Sequence, residues 1–220
     1  MRIACLHTVQ SNVEVFGSAQ RELALDGVTL VHEVRADLLG DAERAGGLTK
    51  EIRDRAGRIM AELARSADAV LLTCSTVGPA VAEAKREGAR VPVLRVDGAL
   101  AEAAVQQGGN VIALCAVETT IEPTRRLFEE AARKTGATIE VKLVPGAWAR
   151  FKAGDRAGYE RLVAEAADAA HRTGAVVALA QASMAGAARL ASTKPAPLTS
   201  PAVGLAAAAS AAKPARAAAL

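Results

Sequence analysis

The sequence is poor in aromatic residues, which make up 2% of its 220 residues. Because 51% of the residues are hydrophobic, the core has to be built mainly from aliphatic side chains and alanine. No apolar run reaches the roughly 18 residues that a membrane helix needs. The net charge is only +3, and basic and acidic residues are interspersed. We therefore expect neither a membrane nor a nucleic acid among the partners.

Cysteine is also scarce. The three cysteines, Cys5, Cys74 and Cys115, are an odd number, and we expect them to be reduced thiols. The N-terminus leads directly into a predicted strand without a signal-peptide pattern, which favours a cytoplasmic protein. No Cys-x-x-Cys or His-x-x-x-His spacing indicates a metal site. No Gly-x-Gly-x-x-Gly follows the first predicted strand, which weakens the case for a dinucleotide cofactor, and no Gly-x-Ser-x-Gly supports a serine hydrolase.

Short apolar runs alternate with helical periodicity along the chain, which predicts a doubly wound, parallel α/β protein. Thr49 is a good N-cap for a helix that reaches about Ser66. Residues 37–48, with three glycines, are predicted to be a loop. The predicted strands are residues 3–6, 28–34, 69–72, 91–96, 110–114, 138–143 and 175–180.

The second half of the sequence repeats the first. Residues 3–6 match residues 111–114 at an offset of 108, and residues 70–76 match residues 177–183 at an offset of 107. Two pairings at nearly one offset predict two similar lobes. We assign residues 1–95 to lobe 1, completed by residues 191–211 with a closing helix over 202–211, and residues 96–190 to lobe 2. Residues 212–220 are predicted to be a disordered tail.

The stretch from residue 68 to residue 79 organises the chain. It is a buried strand that stops at Cys74 and turns into a helix predicted over residues 79–87. Ligands of open α/β sheets bind at the carboxyl ends of the strands, where helix N-termini favour anions and thiolates. Cys74 is therefore a candidate functional thiol, although a buried filler is the alternative. Ser75 and Thr76 could cap the helix, and they could also bind a carboxylate, since the first role does not exclude the second.

Several of these segments resemble the aspartate/glutamate/hydantoin racemase superfamily. Residues 71–80 resemble its first-cysteine motif, and residues 45–49 and 119–124 resemble further segments of it. Residues 180–184 stand where its second motif would be. The resemblance implies two pseudo-symmetric lobes with a cofactor-free active site in the cleft between them. A thiol from each lobe would then face one carbon next to a carboxylate or carbonyl, where one removes a proton and the other returns one on the opposite face.

The sequence departs from this two-thiol pattern because Gln181 stands at the second cysteine position. A carboxamide cannot transfer a proton at neutral pH. We therefore expect a cofactor-independent racemase or isomerase-like enzyme, with Cys74 as acid/base or nucleophile on a small carboxylic acid. The alternatives are a one-thiol lyase, such as a malonate-type decarboxylase, and a non-catalytic protein that binds small carboxylates. The substrate and a homo-oligomeric state are left open.

Other polar residues fall at predicted strand ends on the site side. His7 is the candidate for a replacement acid or base, and a hydrogen-bonded structural role is the alternative. Gln181 either orients the substrate through its amide or satisfies a buried turn. Cys5 is expected in the core, Cys115 could approach the site, and His32 is expected to be solvated. The remaining candidates for substrate binding are Thr8, Thr119, Thr120, Ala182 and Ser183.

Overall fold

The computed structural model describes residues 1–106 and 108–213. The chain divides into two compact units, Met1–Arg95 together with the segment that begins at Gly204, and Val96–Val203. Each unit is built on a four-stranded parallel sheet, which confirms the predicted α/β class. None of the described helices combines the length and the apolar character that crossing a membrane requires.

The first unit has the strand order β2-β1-β3-β4. Its strands are β1 (Arg2–His7), β2 (Thr29–Val34), β3 (Ala69–Leu72) and β4 (Val93–Arg95). Its helices are α1 (Asn12–Glu22), α2 (Ala36–Arg44), α3 (Lys50–Leu63) and α4 (Val81–Arg86), with a 3-10 turn at Gly78–Ala80. Alternation along β1 sends Ala4 and Leu6 into the core beneath α2 and α3, whereas His7 contacts Phe16 of α1 on the other face. The sheet is therefore covered on both faces.

The second unit has the equivalent order β6-β5-β7-β8. Its strands are β5 (Asn110–Cys115), β6 (Thr138–Leu143), β7 (Val176–Leu179) and β8 (Leu198–Thr199). Its helices are α5 (Val96–Gln106), α6 (Ile121–Ala132), α7 (Ala147–Lys152) and α8 (Arg156–His171), with 3-10 segments at Glu118–Thr120 and Ala182–Arg189. Ile112 and Leu114 pack under α8, and Val111 and Ala113 pack under α5 and α6.

The strand registers reproduce the repeat found in the sequence. Ile3 is the ladder partner of Ala69 in the first unit, and Val111 is the partner of Val176 in the second. These two pairs have the offsets of 108 and 107 that the sequence gives. Gln181 therefore occupies in the second unit the position that Cys74 occupies in the first.

Two predictions need correction here. Residues 37–48 are not a loop, because α2 spans Ala36–Arg44 and buries Leu38 and Ala42 one turn apart on its inner face. The return to the first unit begins at Gly204 and not at residue 191, because β8 pairs with β7 in the second sheet. The closing helix itself is present as α9 (Ser200–Ala211). Of the predicted tail, residues 214–220 lie outside the described residues.

Candidate active site

In the first unit, the candidate site residues lie where β1 and β3 end side by side. These are the two central strands, and the chain leaves them towards opposite edges of the sheet, which is the usual ligand position in doubly wound sheets. Thr8 follows β1 and is buried. Cys74, Ser75 and Thr76 follow β3, and all three are half-buried. The Cys74 side chain packs against the core cluster without being sealed inside it.

The turn after Cys74 is tight. The backbone N–H of Gly78 donates to the carbonyl of Ser75 at 3.2 Å and begins a 3-10 turn before α4. Val77 takes the N-cap position, so neither Ser75 nor Thr76 caps this helix. The guanidinium of Arg95, at the end of β4, lies directly against Gly78, where any side chain would overlap it. The thiol-bearing turn therefore carries two hydroxyl groups that cap no helix and has a guanidinium beside it.

His7 is fixed by a chain of hydrogen bonds. Its Nδ1 lies 2.8 Å from Thr73 Oγ1, which donates in turn to the carbonyl of Leu6 at 3.1 Å. Because the hydroxyl proton is used in that bond, Nδ1 of His7 carries the hydrogen and Nε2 carries the lone pair. Nε2 lies 2.8 Å from Nδ1 of His32. His32 is therefore half-buried and paired, not solvated as the sequence predicted.

The protonation state of His7 follows from its burial. Burial, and secondarily the neighbouring His32, lowers the pKa of His7 from 6.5 to about 4. The ring is fully buried and both of its nitrogens have partners. A neutral, enclosed imidazole of this kind matches the structural alternative for His7 better than an acid or base that meets substrate.

In the second unit, the amide of Gln181 bridges the ends of β5 and β7. Its Oε1 accepts the backbone N–H of Ala116 at 2.7 Å, and its Nε2 donates to Thr120 Oγ1 at 3.2 Å. The Thr120 hydroxyl donates to the carbonyl of Val117 at 2.6 Å. Both ends of the amide are therefore satisfied within the unit. Thr119, by contrast, is exposed and does not join this network.

Ser183 has a partner that the sequence analysis missed. Its hydroxyl lies 2.8 Å from the phenol oxygen of Tyr159, the sole tyrosine of the chain. Burial raises the pKa of Tyr159 to about 12, so the phenol is neutral. Ala182 is buried and offers only backbone groups. A hydroxyl-bearing aromatic in an otherwise alanine-rich helix was the one signal that could have identified Tyr159 from the sequence.

The other two cysteines lie in the core. Cys115 is fully buried, and its thiol donates to Thr124 Oγ1 at 3.6 Å. Burial is the main reason that the pKa of Cys115 is raised. Cys5 is fully buried on β1, and burial raises its pKa to about 12. Among the three cysteines, only Cys74 is partly exposed, and none of the three is in a disulfide.

One group of side chains in the described part of the chain has the composition of a metal site. Cys5, His7 and His32 offer ligand atoms that all lie within 4.8 Å of one another. The group lies on the first sheet and includes no residue of the Cys74 turn.

The fold has relatives among solved structures. No family model and no curated protein sequence matches the chain. An aspartate racemase from Picrophilus torridus superimposes with a TM-score of 0.71 at 13% identity, over 96% of this chain and 94% of the racemase. An allantoin racemase from Klebsiella pneumoniae gives 0.68 at 15% identity, over 96% and 86%. A glutamate racemase from Bacillus anthracis gives 0.62 at 16% identity, over 94% and 80%. The chain thus has the α/β fold of aspartate, glutamate and allantoin racemases.

Proposed function

We propose that the protein is a cofactor-independent, racemase-like isomerase of the aspartate/glutamate/hydantoin racemase superfamily, acting on a small carboxylic acid or its cyclic amide. The observation that carries this proposal is the half-buried Cys74 at the carboxyl end of β3, in a chain with the racemase fold. Aspartate, glutamate and allantoin, the compounds named for the structural relatives, are the first substrates to test.

The chemistry assigned to Cys74 is proton transfer. As a thiolate, Cys74 removes the proton from the carbon next to the carbonyl, so that the C–H bond breaks and an S–H bond forms. The electron pair of the C–H bond moves into the carbonyl as an enolate. Return of the proton from the thiol restores the substrate, whereas delivery of a solvent proton to the opposite face gives the mirror-image product.

The residues beside Cys74 suit the carboxylate or carbonyl of such a substrate. Ser75 and Thr76 are half-buried hydroxyl residues that cap no helix. The Arg95 guanidinium lies against Gly78, four residues after the thiol. A guanidinium and two hydroxyl groups are donors that stabilise a carboxylate and the negative charge of an enolate. His7 has no part in this proposal, because it is buried and neutral.

The test is exchange of the substrate hydrogen for deuterium in deuterium oxide, followed by NMR, with chiral chromatography of the same samples. The panel is aspartate, glutamate, allantoin, substituted hydantoins, malonates and maleate. We expect exchange with at least one compound, and we expect Cys74→Ala to reduce it by at least a thousandfold. Cys115→Ala is the matched control, because it removes a buried thiol that donates a hydrogen bond to Thr124. Full activity of a folded Cys74→Ala variant would rule out the proposed role of Cys74.

The amide of Gln181 leads to a prediction about two rates, that of hydrogen exchange with solvent and that of inversion of configuration. Since Gln181 cannot transfer a proton, exchange of hydrogen in the native protein should be faster than inversion of configuration. Gln181→Cys places a thiol at the position equivalent to Cys74 and should increase the ratio of inversion to exchange. The matched control is Gln181→Ala, which also removes the bond to the Ala116 N–H but adds no acid. An equal ratio in all three proteins would contradict the one-thiol interpretation.

The second candidate function is a one-thiol lyase that decarboxylates a substituted malonate. The observation that favours it is the same Gln181 amide, which is bonded at both ends and leaves Cys74 as the only acid of the pair. Loss of carbon dioxide would leave an enediolate, and the Cys74 thiol would protonate it on one face. This function predicts carbon dioxide release and an optically enriched product. Stabilisation by carboxylates without any turnover would instead support the non-catalytic binder.

A further inference from the structure

The first sheet carries a compact group of sulfur and nitrogen ligands that the proposed reaction does not use. Cys5 and His7 lie two residues apart on β1, so their side chains point to the same face. His32 is the ladder partner of Cys5 on the adjacent strand β2. The potential ligand atoms of the three residues all lie within 4.8 Å of one another.

The hydrogen bonds place the lone pair of His7 on Nε2, the nitrogen that faces His32. Nδ1 of His7 donates to Thr73 Oγ1 at a distance of 2.8 Å between these two atoms. The lone pair of Nε2 therefore points towards His32. A metal-bound histidine usually donates its second ring N–H to a partner of this kind, which fixes both the tautomer and the ring orientation. The two rings are nearly parallel, at an interplanar angle of 20°.

We propose that Cys5, His7 and His32 form a binding site for a divalent transition-metal ion of the zinc type, with one coordination position left for water. One thiolate and two imidazoles are a ligand set that Zn²⁺ and Co²⁺ accept in tetrahedral geometry. Binding of the ion requires one proton to leave and another to move between ring nitrogens. Cys5 loses its thiol proton to solvent, and His32 binds through Nδ1 after the proton there has moved to Nε2.

A small movement is needed to admit the ion. Nε2 of His7 and Nδ1 of His32 are 2.8 Å apart, whereas two nitrogens on a tetrahedral zinc ion stand about 3.3 Å apart. His7 is fully buried, but His32 is half-buried on β2, which is an edge strand of the sheet. A shift of the His32 ring by about half an ångström would bring the two nitrogens to that separation, and we place the entry path for the ion on this half-buried side.

The spacing of the three residues explains why the sequence predicted no metal site. Cys5-x-His7 is too short a pattern to indicate a site by itself, and His32 comes from a different strand. Only the parallel pairing of β1 with β2 brings the third ligand beside the other two.

The test is titration of the untagged, full-length protein with Co²⁺ after treatment with a chelator. We expect one Co²⁺ per chain, visible absorption typical of a tetrahedral site, a sulfur-to-cobalt charge-transfer band, and displacement by Zn²⁺. Cys5→Ser should abolish the charge-transfer band and weaken binding at least tenfold. Thr73→Val should weaken binding by roughly 10- to 100-fold while keeping the band, because Thr73 orients His7 without being a ligand.

Two controls and a second variant keep the outcome clear. Cys115→Ser and His171→Asn remove a thiol and an imidazole elsewhere and should leave the titration unchanged. If Cys5→Ser fails to fold, His32→Asn at the half-buried position tests the same site. Absence of a charge-transfer band in the native protein would overturn the proposal and leave a simple His7–His32 hydrogen bond. A band that persists in Cys5→Ser and is lost in Cys74→Ser would overturn it too.

Discussion

The burial of single side chains decides which residues of the first unit can do chemistry. Cys5 and His7 are fully enclosed, and burial moves the pKa of each in the direction that favours its neutral form. Cys74 belongs to the same sheet but lies beyond the end of its strand and is half-buried. A shift of a few residues along the strands therefore separates a partly exposed thiol from a thiol and an imidazole that are enclosed in the folded chain.

His7 should make the stability of the protein depend on pH. Its pKa is about 4 in the folded chain and 6.5 ordinarily, so the unfolded chain binds the extra proton between these values. The stabilising contribution is complete above pH 6.5 and is lost as the pH falls towards 4. This difference corresponds to roughly 3 kcal/mol. Urea unfolding between pH 7 and pH 4.5 should show a smaller loss for His7→Gln than for the parent, and equal losses would contradict the assignment.

At the residue scale, the sequence predicted where a candidate side chain stands relative to its strand, but it did not predict which side chains contact each other. The place of Cys74 follows from an apolar run that ends in polar residues, which is visible in the sequence. The pairing of His7 with His32 depends on which strand lies beside β1, and the contact of Ser183 with Tyr159 depends on how α8 packs. Local periodicity in the sequence predicts neither of these two contacts.

Helices α3 and α4 approach each other closely at Gly57. A Cβ atom there would lie 2.5 Å from Cβ and 3.1 Å from the backbone carbon of Glu83, so Gly57→Ala should cost about 1–3 kcal/mol. Gly17→Ala in α1 is the matched control, since its Cβ would meet only Arg21 Nη1 at 3.6 Å. That change should stabilise the protein by about 0.5–1 kcal/mol. Urea denaturation measures both, and equal effects would contradict the close approach.

At the element scale, the sequence predicted most of the strands well and missed the helices α2 and α7. β6 (Thr138–Leu143) and β3 (Ala69–Leu72) lie where short apolar or alternating runs placed them. Helix α2 was missed because Gly40 lies in its middle and Gly46 and Gly47 follow it. Burial of Leu38 and Ala42 against the sheet outweighs the low helix propensity of one glycine.

At the scale of the whole molecule, helix α9 links distant parts of the chain, because it begins beyond the second sheet and its residues from Gly204 belong to the first unit. Leu205 in this helix is fully buried. Leu205→Ala should destabilise the protein by about 2–5 kcal/mol. Leu190, which is 54% exposed, is the matched leucine, and Leu190→Ala should change stability little. Thermal unfolding followed by circular dichroism distinguishes them, and similar Tm values for the two variants would argue against this assignment.

The duplication made the architecture readable from the sequence, although the boundary of the second unit was not. Repeated offsets of 107 and 108 predicted two similar sheets, and the strand ladders have the same offsets. The boundary was missed because β8 is only two residues long, in a segment rich in proline. A strand of that length leaves no periodic pattern, and only its pairing with β7 assigns it to the second sheet.

The discontinuous first unit also imposes an order on biosynthesis. A ribosome releases the segments of β1 to β4 early, but the helix that completes their unit emerges roughly a hundred residues later, about 5–20 s at ordinary translation rates. The second unit is continuous in sequence and can be finished first. Chains truncated after Val203 should therefore contain a protease-resistant second unit and an incomplete, cleavable first one.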